Sequence, residues 1–233
     1  FATGRWTSRV KGHPEVRGEL PVATLADEIE TPGDGQIRAF LSVAGNPVRS
    51  CPNSERLDAA FAGLEAYIAV DPYINETTRH ADVILPPPSA LERSHYDFAF
   101  SANAVRRVAK YSSAVFTTDA LDEGEILSRL VLLLMGAGLD ADTDLVHDQV
   151  LDHFVDRELR DETSPIFGRE KEEIVAELTS RAPVERVIDL RLRTGSFGDG
   201  FGADPDGLTL ARLREKPHGI DYGPLVERFP AAI

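Results

Sequence analysis

Ile37-Arg38-Ala39-Phe40-Leu41-Ser42-Val43-Ala44 is an apolar, partly β-branched run that stops abruptly at Gly45-Asn46-Pro47. A short apolar run closed by turn residues has the profile of a buried strand. Just beyond it, Asn53 and Ser54 are good helix N-caps, Leu57, Ala60, Phe61 and Leu64 follow at helical spacing, and Gly63 marks the helix end. Ala66-Tyr67-Ile68-Ala69-Val70 is a second strand, closed by Asp71-Pro72. The polar stretch from Asn75 to His80 leads into a third, Asp82-Val83-Ile84-Leu85. Pro86, Pro87 and Pro88 halt it, because proline has no N–H to give to a ladder. Strand, loop, helix, strand, loop, strand is the grammar of a parallel sheet. The expected fold class is therefore α/β, a parallel Rossmann-like sheet followed by a helical subdomain.

Working outward, residues 1–35 carry Gly4, Gly12, Pro14, Gly18, Pro21, Pro32, Gly33 and Gly35 and read as a loop-rich lead-in, with one short helix from Val22 to Ile29. Residues 36–118 form the expected dinucleotide-binding-like domain. Within it, Val105 to Val108 reads as a fourth strand or a hairpin edge. Residues 119–233 change character. Glu125 to Met135, Leu145 to Leu159, Lys171 to Arg181 and Val184 to Arg193 repeat apolar residues three and four apart, as helices do. Gly195 to Gly207 is a glycine-rich connection, Leu208 to Arg214 a last short helix, and Lys216 to Ile233 an extended linker tail.

Composition removes several classes of function. Lys plus Arg is 25 against Asp plus Glu at 39, a net charge of −14. Such a surface repels phosphate backbones, so nucleic acid is not an expected partner. One cysteine, Cys51, leaves no disulfide framework and no multi-cysteine zinc or iron–sulfur site in these residues. The longest apolar run, Leu130 to Met135, is far too short to cross a membrane, and no membrane insertion is expected. The only methionine is Met135 and the chain opens at Phe1, so the expectation is an internal fragment of a longer, cytoplasmic polypeptide.

The candidate chemistry lies at the ends of the strands. Gly45 to Ser50 joins a strand to a helix N-terminus, where backbone N–H groups and the helix dipole favour an anion. Asp71 ends the neighbouring strand, the place where an acidic residue grips ribose hydroxyls in dinucleotide-binding folds. It equally suits a plain Asp-Pro turn. Asn75 to Asp82 sits at the carboxyl end of the second strand, where open α/β sheets bind ligands, and Thr77 and Thr78 offer hydroxyl groups. A polar loop with one helical turn is the alternative. Gly195 to Gly202 follows a helix rather than a strand and lacks Gly-Lys-Ser/Thr, so it reads as a connection. The six histidines are scattered without metal spacing, and no nucleophile or acid–base constellation is present.

Ala44-Gly45-Asn46-Pro47, Ser50, Leu57, Leu64, Val70-Asp71 and then Asn75-Glu76-Thr77-Thr78-Arg79-His80-Ala81-Asp82-Val83-Ile84-Leu85-Pro86 together resemble the molybdopterin oxidoreductases. These are the bis-molybdopterin guanine dinucleotide enzymes that include formate dehydrogenases, nitrate reductases and dimethyl sulfoxide reductases. The resemblance covers residues 37–93 and continues through Glu92, Asn103 and Arg106-Arg107. It implies a fragment of a molybdenum-dependent oxidoreductase that helps bind the guanine dinucleotide end of the cofactor. Gly45, Asn46 and Pro47 would approach the cofactor through backbone, Asp71 would meet the guanosine, and Thr77 and Thr78 would lie by its ribose or phosphates. The molybdenum ligand, the four-cysteine iron–sulfur motif and the barrel-like domain would belong to the remaining domains of the parent polypeptide, making this piece non-catalytic on its own. The alternative is a non-catalytic α/β nucleotide- or protein-binding module.

Overall fold

The computed structural model describes residues 3–98, 100, 103–180 and 182–224. The chain divides into two compact units, Phe1–Pro87 and Pro88–Ile233.

The first unit opens with an antiparallel pair, β1 (Thr3–Thr7) and β2 (Pro14–Val16), where the breaker-rich sequence predicts loop. The hairpin has no apolar alternation to betray it, since every residue of β1 is exposed. A charge holds it instead. Glu15 has no exposed surface, and its carboxylate accepts from the Arg5 guanidinium at 2.6 Å and from the Arg5 backbone N–H at 3.2 Å. Gly4 and Gly12, at φ +69° and +67°, supply the left-handed backbone the hairpin needs. The short helix expected from Val22 to Ile29 is a 3-10 turn (Val22–Thr24) running into α1 (Leu25–Glu30).

β3 (Ala39–Val43), β4 (Ala66–Val70) and β5 (Val83–Ile84) form the three-stranded parallel sheet, in that order. Leu41 pairs with Ile68, and Ile68 with Val83. Between β3 and β4 come a single turn, α2 (Pro47–Ser50), and α3 (Ser54–Ala62). The helix over residues 54–62 is the one the spacing predicts; α2 was hidden within what reads as loop. α1 and α3 pack on one face of the sheet, where Ile29, Leu57, Phe61, Tyr67 and Ala69 are buried. Phe40 meets Phe61 edge-on at 5.0 Å between centroids, and Tyr67 at 5.6 Å. The buried Tyr67 hydroxyl finds Ser42 Oγ at 2.8 Å. Arg56 of α3 fastens α1 through Asp27 at 2.7 Å and Glu30 at 2.6 Å.

The second unit is mainly helical but stitched by short antiparallel pairs. β6 (His95–Tyr96) pairs with β8 (Tyr111–Ser112), and β7 (Arg106–Ala109) with β9 (Ile220–Pro224). The run at 105–108 is thus an antiparallel strand one residue later. Its partner comes from the segment that reads as an extended tail, whose residues 225–233 lie outside the described residues. The helices are α4 (Glu123–Leu134), α5 (Asp144–Arg160), α6 (Lys171–Glu177), α7 (Pro183–Arg193) and α8 (Leu210–Arg214). α6 stops short of its expected end at Arg181, which lies outside the described residues.

Two clusters hold this unit. Leu151, Val155, Ile174 and Leu190 lock α5, α6 and α7 together. Ile188, Leu192, Leu210 and Leu213 join α7 and α8 to Tyr111 of β8. The glycine-rich connection is fixed by Arg193, whose guanidinium reaches Asp199 at 2.9 and 3.0 Å and Glu177 at 2.7 Å, and lies 3.8 Å from the Phe201 ring centroid. A Cβ at Gly198 would overlap the carbonyl oxygens of Arg193 and Leu192.

Two expectations follow. Arg5 hydrogen-bonds Glu15 and holds its carboxyl at about 2. The pair's contribution to stability is therefore fully present above the ordinary glutamate value of about 4.3 and is lost as pH falls through the lowered one. An NMR titration should find Glu15 near that lowered value, and Arg5→Gln should move it upward; an ordinary value in the parent protein would remove the role assigned to Arg5. Second, Gly198→Ala should cost about 1–3 kcal/mol of stability through overpacking, readable by denaturant unfolding.

Candidate functional site

The carboxyl end of the parallel sheet is built from two loops, residues 44–53 after β3 and 71–82 after β4. A parallel pair needs a crossover of about a dozen residues or more. Between β4 and β5 that crossover contains no α-helix, only a 3-10 turn at Thr78–His80, so side chains must give it its shape.

They do so almost residue by residue. Asp71 is 6% exposed and turns back on its own loop, accepting from the Tyr73 N–H at 2.8 Å and from Asn75 Nδ2 at 3.4 Å. Asn75 Oδ1 accepts from the N–H groups of Thr77 and Thr78 at 2.9 and 3.0 Å. Thr78 Oγ1 donates to the Tyr73 carbonyl at 2.9 Å and accepts from the Asn75 N–H at 2.8 Å. Thr77 ties this loop to the other one: its Oγ1 donates to Asn46 Oδ1 at 2.7 Å and accepts from the Val48 N–H at 3.0 Å. Glu76 supports the same junction, accepting from Asn46 Nδ2 at 2.7 Å and Arg49 Nη1 at 3.3 Å. Those bonds, Asn46 first, hold its carboxyl below the usual glutamate range.

The string continues in this way. Arg79 Nη2 reaches both Asp58 oxygens, at 2.7 and 2.6 Å, and His80 Nε2 meets Asp58 at 2.5 Å. These contacts anchor the loop to α3 and, with His80 the larger influence, keep the Asp58 carboxyl low. Asp82 Oδ2 accepts from the Tyr67 N–H at 2.8 Å, tying the entry of β5 to β4.

The six residues singled out in the sequence fall into two groups. Asn46 and Pro47 stand at the start of α2 and Gly45 just before them; Thr77 is bonded to Asn46, so these four are brought together. Thr77 and Thr78 have no exposed surface, and both hydroxyls are occupied by protein partners. Asp71 is not brought into contact with Gly45 or Thr77 by any bond described above. Its carboxylate starts the turn at Tyr73. A cleft of about 430 Å³ does lie here, lined by Val48, Arg49, Ser54, Glu55, Asp58, Glu76 and Arg79. Sequence reasoning did not assign Arg49, Asp58 or Glu76 to it. Sequence reasoning did not single out the Asx turn at Asn75 either, although asparagine bonding to backbone two and three residues on is a local rule that could have found it.

Two backbone features set the rim. Ala44 leaves β3 at φ +51°, a left-handed conformation disfavoured for a residue with a Cβ. Gly45 is different. Its φ is not left-handed, and a Cβ there would meet nothing nearer than Val43 O at 3.8 Å and Pro47 Cδ at 3.9 Å. Neither conformation nor packing within the chain calls for glycine at 45. Among the described residues no group of three or more His, Cys, Asp or Glu side chains is placed to hold a metal ion. Nor is any helix among them long and apolar enough to cross a membrane.

The sheet and its paired loops define an α/β unit with an open carboxyl edge. Residues 9–124 match the family model described as molybdopterin oxidoreductase, and through this segment the chain belongs to that family. It is 39% identical over 76 residues to the assimilatory nitrate reductase catalytic subunit of Bacillus subtilis (strain 168), covering 32% of this chain and 11% of that protein. It is 32% identical over 92 residues to the F420-dependent formate dehydrogenase 1 subunit alpha of Methanococcus maripaludis, covering 40% and 13%. With the biotin sulfoxide reductase of Cereibacter sphaeroides the identity is 26% over 105 residues, covering 40% and 14%. The chain thus spans about a tenth to a seventh of the length of these relatives.

Thr77→Val keeps the shape of the side chain and strands the buried Val48 N–H. It should lower stability by about 1–3 kcal/mol in chemical unfolding, whereas Thr77→Ser should recover most of the loss. A loss in Thr77→Ser with none in Thr77→Val would show that the methyl contact, not the hydroxyl, matters.

Proposed function

We propose that this chain is part of a molybdenum-dependent oxidoreductase and helps hold the guanine dinucleotide end of its molybdopterin cofactor, the parallel sheet serving as a Rossmann-like cradle. The observation that carries the reading is Gly45. It stands at the carboxyl end of a parallel strand, where open α/β sheets take ligands. The chain itself makes no use of its missing side chain. A glycine that its own protein does not require leaves room for close approach by something else. Family membership supplies the identity of that group.

In this reading Gly45, Asn46 and Pro47 face the cofactor with backbone. Thr77 and Thr78 keep the rim in place and Asp71 sets the turn beside the guanosine. Arg49 and Arg79 lie in the cleft already paired with carboxylates, so the attraction for an anion is local rather than long-range. When bound, the cofactor supplies two-electron redox chemistry at molybdenum. The residues of this chain bind and orient its far end and carry out no bond-making step. The molybdenum ligand and an iron–sulfur cluster belong, on this reading, to the remaining domains of the parent polypeptide, in the cytoplasm. A surface of net charge −14 disfavours nucleic acid as a partner.

Gly45→Ala separates binding from folding. The melting temperature of the 233-residue chain should not change. In the full-length protein the methyl group would press on the ligand at a cost of about 1–3 kcal/mol, roughly ten- to hundredfold in affinity. Molybdenum and guanine nucleotide released per chain should fall together. Full occupancy in this variant would overturn the role given to Gly45.

A further inference from the structure

Ile126 and Ser128 are the buried residues of α4. Beyond them, Leu130-Val131-Leu132-Leu133-Leu134-Met135 makes the end of the helix apolar on every side. A helix that is apolar all round is normally found inside a protein. Here it faces solvent: Leu134 is 84% exposed, Met135 78%, and Leu139 of the following turn 74%. That turn is fastened in place. Arg129 Nη1 donates to the Leu139 carbonyl at 3.3 Å, and Thr143 Oγ1 donates to Glu125 at 2.7 Å, so the chain doubles back along α4. Exposed apolar side chains gathered in this way mark interaction sites.

The same stretch carries charge of one sign. Between Arg129 and Arg157 there are six aspartates and no lysine or arginine. Asp148 pairs with Arg186, and Asp152 and Asp156 with Lys171. Asp140, Asp142 and Asp144 are exposed and have no cationic partner among the described residues. Asp142 and Asp144 suit the start of α5, where negative charge meets the helix dipole. Asp140 precedes that turn and has no such use. An apolar centre within a rim of one sign is the anatomy of an interface between separate proteins, in which the rim steers and selects.

We propose that the end of α4 and the turn into α5 form a docking surface for a separate protein that presents apolar side chains among lysines and arginines. Charge selects this occupant. A second copy would bring the same aspartates together, since a two-fold contact joins like patches, and like charges across an interface are costly. Charged lipid surfaces are anionic and would repel the rim. A segment of the same polypeptide is already tethered and gains little from steering. Nothing in this surface depends on the cofactor.

Two synthetic peptides serve as probes. Both are amphipathic helices with the same leucine face, one rimmed by lysine and arginine, the other by glutamate. The full-length protein at low salt should bind the basic peptide and not the acidic one. Hydroxyl-radical labelling of Leu134, Met135 and Leu139 should be strong in the free protein and fall when the basic peptide is added. Asp140→Asn, Asp142→Asn and Asp144→Asn combined should weaken binding about tenfold and flatten its salt dependence. Leu134→Ser with Met135→Ser should weaken it at every salt concentration. Neither set should shift the melting temperature, because all five side chains are exposed. Equal binding of the two peptides, or binding that leaves the labelling unchanged, would overturn the proposal. So would absent labelling in the free full-length protein, which shows a cover from its own polypeptide. Labelling that falls as protein concentration rises would replace the partner with a second copy, and protection by phosphatidylserine vesicles would replace it with a membrane.

Discussion

One hydroxyl joins the two loops at the end of the sheet. Thr77 Oγ1 accepts from the Val48 N–H and donates to Asn46, in a position with no exposed surface. Val48 begins the descent from β3 towards α3, and Thr77 lies in the crossover from β4 to β5. Without that oxygen the hydrogen bonds left between the two loops would be those of Glu76, at a more exposed rim. A buried N–H left without a partner is costly, so the tie is strong in one direction: hard to remove, although modest in its net gain. Everything proposed for the carboxyl edge depends on this fixed spacing.

The polar string at the carboxyl edge thus reads differently from inside the molecule. Asn75, Glu76, Thr77, Thr78, Arg79, His80 and Asp82 each engage a named protein partner. A crossover of this length without an α-helix has many backbone groups and no regular ladder in which to satisfy them. Short polar side chains meet that need, while Arg79 and His80 converge on Asp58 to hold the loop against α3. The polar string is accounted for as architecture. The backbone at Gly45 is where architecture leaves something unexplained.

How much of this the sequence disclosed depends on range. The three parallel strands and the helix at 54–62 were legible because apolar runs and caps are local signals. The β1–β2 hairpin was not, since it is held by Glu15 and Arg5 rather than by alternating apolar residues. Nor was the pairing of β7 with β9, which joins residues more than a hundred positions apart and carries no turn signal. At the site, the position of Gly45, Asn46 and Pro47 at a strand end was readable. The inward turn of Asp71 was not, because a carboxylate at a strand terminus serves a ligand or its own loop equally well. In the structure the carboxylate is buried and accepts from the Tyr73 N–H.

Ala44 has a further consequence. Its left-handed φ of +51° costs on the order of 1–2 kcal/mol relative to a relaxed residue, and its N–H is held by the Val70 carbonyl at 2.9 Å. Glycine would adopt the same angle without strain, but it would also adopt many others. An alanine forced into this shape by the sheet has few alternatives, so the direction in which the chain leaves β3 is settled when the strands pair. The entropy of ordering that exit belongs to folding rather than to association. A group arriving at Gly45 meets a rim already in its final form, and more of the contact energy remains available as affinity.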